Sequence, residues 1–161
     1  MAKTRPIPEG LHTITPSLCV KGGAQAMEFY KKAFGAQELM RATGPDGTSI
    51  MHASMKIGDS VFFLNDEFPE GEVFSPLHFK GTSVSIFLYV EDVDTWFKRA
   101  VDAGCTVDMP LADQFWGDRF GSVEDPFGHS WGLATHVKDL SPEEMQKAQD
   151  EFFAKMAPQH G

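Results

Sequence analysis

Apolar and polar residues alternate from Ile14 onward: Ile14, Pro16, Leu18 and Val20 share one face of a predicted strand, and Thr15, Ser17 and Cys19 the other. Pro16 suits a sheet edge, where no amide is needed. After Gly22-Gly23 the period lengthens. Ala26, Met27, Tyr30, Ala33 and Phe34 fall on one stripe of a predicted helix that stops at Gly35. Alternation returns in Met51, Ala53, Met55 and Ile57 against His52, Ser54 and Lys56, and Gly58-Asp59 turns the chain into Val61–Leu64. The order then repeats. Val84, Ile86, Leu88 and Val90 oppose Ser83, Ser85, Phe87 and Tyr89; Asp92 is placed to cap a helix bearing Val93, Trp96, Phe97, Ala100 and Val101; Gly104 ends it. Three strands are predicted around 105–109, 119–124 and 130–135. The two copies are offset by 70 at the strand ends Val20 and Val90 and by 69 at the helix-ending glycines. A repeat of this length implies two half-domains that complete one another, with a site between them.

These elements predict an α+β fold of two tandem βαβββ modules. Each forms a half-cup of curved mixed sheet with outer helices. The expected boundaries are an arm at 1–12, modules at 13–66 and 82–136, a linker or flap at 67–81, and a C-terminal segment at 137–161. In the last, Ser141-Pro142-Glu143-Glu144 is a capping box opening an amphipathic helix. A two-fold repeat has no third slot for that helix, which points to an outer face or a second copy.

The 161 residues suit one domain, with 42% hydrophobic residues and 14 Phe to fill a core or line an apolar cup. A net charge of −9 and the absence of basic clusters argue against nucleic acid and anionic membranes as partners. Two distant cysteines and a start without an apolar leader segment imply reduced thiols and a cytoplasmic location.

The repeat, together with Asp125-Pro126-Phe127-Gly128-His129-Ser130-Trp131 before the last strand, resembles the vicinal oxygen chelate superfamily of glyoxalase I, extradiol dioxygenases and fosfomycin and bleomycin resistance proteins. Lys31–Ala36, Ile57–Ser60, Trp116–Arg119 and Ala134–His136 are similar to its PhnB-like subgroup. The resemblance implies a cup closed by both modules, a homodimer, and in many members a divalent cation held by His, Glu or Gln from the first and last strands. Here the corresponding positions are Thr15, Ser85, Gly132 and one of Phe62 or Phe63. Two hydroxyls, a hydrogen and a phenyl do not make a cation site, so no metal and no other cofactor is expected.

The expected function is therefore binding of a small molecule in the cup, with a cationic ligand suited to the acidic chain. The alternative is a lyase, isomerase or dioxygenase-type enzyme that uses His52 or displaced metal ligands. His52 is the candidate general base or anchor. Thr15, Cys19, Phe63, Ser85, Phe87, Tyr89 and Gly132 are candidate lining residues, and Trp116 with Arg119 a candidate stacking and charge pair at the mouth. A turn held by Arg119, with Trp116 as a lid on the core, explains that pair equally well.

Overall fold

The computed structural model describes residues 4–156; the first three residues of the expected arm and the last five of the C-terminal segment lie outside the described residues. The strands are β1 (Ser17–Val20), β2 (Gln37–Thr43), β3 (Ile50–Ile57), β4 (Ser60–Asp66), β5 (Ser85–Tyr89), β6 (Thr106–Asp113), β7 (Asp118–Glu124) and β8 (Ser130–His136). The helices are α1 (Gly23–Phe34), the single turn α2 (Pro76–Phe79), α3 (Val93–Ala103) and α4 (Pro142–Met156). Two four-stranded sheets result, ordered β1-β4-β3-β2 and β5-β8-β7-β6, each with one parallel pair at the β1 or β5 edge. The duplicated sequence thus folds as two βαβββ modules.

Register makes the repeat exact at the level of single residues. Phe63 lies opposite Ser17, and Gly132 opposite Phe87. Ser17 and Phe87 are equivalent, so Phe63, and not Phe62, is the counterpart of Gly132. One strand further in, Ser54 faces Phe63 and Ser122 faces Gly132, which makes His52 the counterpart of Phe120.

Each module starts its helix with its own last strand. The Asp66 carboxylate at the end of β4 accepts the amides of Gly22 and Gly23 at 2.9 and 2.7 Å, and that of Ile50 at 2.7 Å. At the equivalent position Thr135 Oγ1 accepts the amide of Val93 at 2.9 Å. Asp92 adds the expected N-cap on Thr95. Asp66 thereby satisfies the helix amides that a phosphate would need after Gly22-Gly23.

The two modules share one core. The α1 stripe, Ala26, Met27, Tyr30, Ala33 and Phe34, is fully buried. Tyr30 and Phe34 pack on Trp131 of β8 with ring centroids 5.4 and 4.5 Å away. At the centre is the buried Asp125. It accepts Tyr30 Oη at 2.7 Å, Trp131 Nε1 at 2.9 Å and the amides of Phe127 and His129 at 2.9 and 3.0 Å. The Tyr30 hydroxyl is held well above its ordinary pKa by burial and by the Asp125 charge. Arg99 of α3 donates to Ala33 O at 2.9 Å and lies over the Trp96 ring, tying the two helices together. The linker is clasped as well: Glu67 accepts both the amide and the hydroxyl of the buried Ser75, and Pro76 and Leu77 approach the Gly128 turn.

The C-terminal helix begins with the reciprocal capping box. Ser141 N donates to Glu144 at 2.8 Å, and Glu144 N to Ser141 Oγ at 3.2 Å. Its apolar stripe touches the body through Phe152 against Phe115, and none of its described residues is buried.

Candidate functional site

Helices α1 and α3 pack on each other and on the two sheets, so each sheet buries one face and opens the other. The buried positions of β3 and β4 are Ile50, Ala53, Met55, Ile57, Phe62 and Leu64; β8 is buried from Trp131 to Ala134, with Trp131 and Leu133 turned to the core and Gly132 covered by aromatic rings on the other side. Strand alternation therefore assigns the remaining side chains to two open faces.

The first open face carries Cys19, His52, Ser54 and Phe63. His52 is half-buried, stands edge-on to Phe63 at 4.9 Å, and has Nε2 3.4 Å from Ser54 Oγ. Burial and the Glu67 and Asp66 carboxylates push the pKa of the Cys19 thiol up to about 11, which disfavours the thiolate. Its carbonyl oxygen accepts His129 Nε2 at 2.8 Å, so His129 braces one module against the other. Thr15 sits just before β1 and lines a pocket of about 240 Å³ together with His12, Phe62, Phe87 and Trp131. This seam brings Thr15 and Phe87 to one cavity.

The second open face carries the candidates Ser85, Phe87, Tyr89 and Gly132 together with Asp118, Phe120 and His136. Phe87 and Phe120 stack in parallel with centroids 5.3 Å apart. They roof Gly132: a Cβ there would stand 2.8 Å from Phe87 Cδ2 and 3.0 Å from Phe120 Cε2. Tyr89 leans on Phe87 at 5.0 Å, and Trp116 on Phe120 at 6.1 Å. Beneath them Asp118, 4% exposed, accepts three side chains. Tyr89 Oη lies at 2.9 Å, Trp116 Nε1 at 3.0 Å and His136 Nδ1 at 2.7 Å. His136 Nε2 donates in turn to Asp139 at 3.0 Å. Burial alone would raise the Asp118 pKa, but the three donors and the His136 charge outweigh it and hold the pKa below its ordinary value. Hydrogen bonds to Asp118 and Asp139 raise that of His136.

Arg119 does not join Trp116. Adjacent strand residues point to opposite faces, and Arg119 is turned toward α3, where it binds Asp94 at 2.8 Å and Asp113 at 3.0 Å. Trp116 is instead tied to Asp118. The sequence signal for the missed residues was parity: Asp118, Phe120 and Ser122 alternate in step with the Phe87 face through the β7–β8 register.

The sequence profile of the Glyoxalase/Bleomycin resistance protein/Dioxygenase superfamily matches residues 10–133, and the chain belongs to that family. It is 46% identical over 138 residues to the uncharacterized protein Rv0887c of Mycobacterium tuberculosis, covering 84% of this chain and 81% of that one. Among solved structures, TioX from Micromonospora sp. ML1 superposes with a TM-score of 0.61 at 26% identity, covering 78% of this chain and 99% of TioX. The PhnB protein from Bacillus cereus has the same fold, with a TM-score of 0.60 at 23% identity over 77% of this chain and 99% of that one.

A divalent cation is used in many members of this family, and the residues at its expected position do not fit one. Thr15 and Ser85 offer neutral hydroxyls, Phe63 a phenyl ring, and Gly132 lies under two rings that occupy the space a carboxylate would need. Among the described residues, no three His, Cys, Asp or Glu side chains are grouped to hold a metal ion. No helix among them is long and apolar enough to cross a membrane.

Proposed function

We propose that this protein is a metal-independent small-molecule binding protein whose cup forms between the first open face of one copy and the second open face of another. The observation that carries this reading is the stacked Phe87–Phe120 pair over Gly132, an apolar surface where the cation-dependent members need a ligand. Phe87, Tyr89, Met40 and Met109 are each about half exposed or more, which is unusual for large apolar groups without a partner. Apart from the seam where Thr15 and Phe87 meet, the two faces lie on opposite sides of a shared helical core, so one chain alone does not close them into one cup. In this reading a second copy completes the concave site that a small-molecule ligand requires.

Elemental analysis and sedimentation test this together. The expected result is a dimer retaining less than stoichiometric metal after dialysis. Stoichiometric Zn, Ni, Mn or Fe, or a monomeric mass at micromolar concentration, would overturn it.

An enzymatic reading rests on His52, whose half-buried imidazole faces the first open surface beside Ser54. Among the described residues no carboxylate hydrogen-bonds to it, whereas a catalytic histidine is commonly oriented by a second group. Once a turned-over compound is found, His52→Ala should abolish turnover if His52 is the base; unchanged turnover removes it.

A further inference from the structure

We propose that the second open face recognises an organic cation, a substituted ammonium group on an apolar skeleton. This rests on the reading of that face as a ligand surface.

Five side chains close a circuit. Tyr89, Phe87, Phe120 and Trp116 follow one another with centroid separations of 5.0, 5.3 and 6.1 Å. The two ends of this arc then meet on a single atom, Asp118 Oδ2, which accepts Tyr89 Oη and Trp116 Nε1. Two consequences follow from that closure. The rings are fixed in orientation by a buried carboxylate, so little freedom is lost when a ligand arrives. A phenol or indole that donates to an anion also gains electron density in its ring, which strengthens the negative π face that attracts a cation.

The charges around the arc agree. Residues on this face of β5, β7 and β8, read from the register, include Asp118 and Glu124 and no Lys or Arg. Their β6 partners Thr106, Met109 and Ala112 add no cation. Arg119 is turned away and paired with Asp94 and Asp113. The His136 ring, the one imidazole on this face among the described residues, lies between two carboxylates, Asp118 and Asp139. An anion would meet acidic groups, with the Tyr89 and Trp116 donors already engaged and neutral serine hydroxyls such as that of Ser122 left to receive it. A neutral ligand would gain the apolar contact but nothing from the charge.

Three probes of one shape separate these cases: choline, its neutral isostere 3,3-dimethylbutan-1-ol, and the anion 3,3-dimethylbutanoate. Binding is read from the Trp116 indole N–H signal in a nitrogen–proton NMR spectrum of the intact protein. Choline should bind about five- to tenfold tighter than the alcohol, and the carboxylate weakest. Phe87→Leu should reduce the choline preference, and Asp118→Asn, which keeps an acceptor but removes the charge, should bring choline close to the alcohol. Equal binding of choline and the alcohol, or tighter binding of the carboxylate, would overturn the cation proposal while leaving the face a ligand surface. No shift of the Trp116 signal with any of the three would sink both.

Discussion

Gly132 and Asp125 show how single positions govern the two sides of this sheet. A methyl group at 132 enters the space of Phe87 and Phe120, and Phe87 can swing partly into solvent, so Gly132→Ala should cost about 1 to 2 kcal/mol in a denaturant titration. Adding Phe87→Leu should recover part of that loss, which would identify ring crowding as its source. Asp125→Ala leaves Tyr30, Trp131 and two amides without their acceptor inside the core. A loss of about 3 kcal/mol or more is expected, against about 1 kcal/mol for Tyr30→Phe, both measured by urea unfolding. His136 supplies a pH signature. Its folded pKa lies above the ordinary 6.5 because Asp118 and Asp139 accept from it. Its contribution to stability is therefore complete below the unfolded value and disappears as pH rises through the folded one. Melting curves from about pH 6 to about pH 9 should fall more steeply for the native protein than for His136→Gln.

At the scale of elements, what could be read in advance depended on whether one residue saw one environment. The helices α1 and α3 were legible because a buried stripe, a glycine stop and, for α3, an Asp92 cap all agree. Strand β2, Gln37–Thr43, has no alternation to read: Gln37, Glu38, Arg41 and Thr43 are all polar, as befits an edge strand whose helix-side residues form the Lys31–Glu38–Arg41 ion pairs. The linker reads as aperiodic because its order comes from Glu67 on Ser75 and not from a repeated pattern. Whether Phe62 or Phe63 matches Gly132 needed the β1–β4 register, since both neighbours are phenylalanine. Trp116 and Arg119 are close in sequence, yet they part at the strand entrance, where alternation sends Asp118 and Arg119 to opposite faces.

The whole molecule has α1 and α3 inside and its two open sheet faces outside, so association is the natural way to cover the exposed apolar groups. The helix α4 carries Phe153 and Met156 outward and rests on the body mainly through Phe152 and Phe115. Ending the chain after Asp139 should leave the circular dichroism and melting of the two modules nearly unchanged, because α4 buries none of its described residues. Sedimentation of the same variant should show weaker dimerisation if α4 contributes to the contact between copies. Leu18, Leu64 and Val123, by contrast, lie in the common core, and truncating any of them should affect both modules at once.

The crowding at Gly132 also constrains the order in which this sequence can change. A glutamate placed there alone collides with two stacked rings before it can reach a cation, and shrinking the rings first exposes a sheet face with no ligand to justify it. A metal-binding cup at this position therefore calls for changes at 87, 120 and 132 together, because the ring positions and the ligand position are coupled through space.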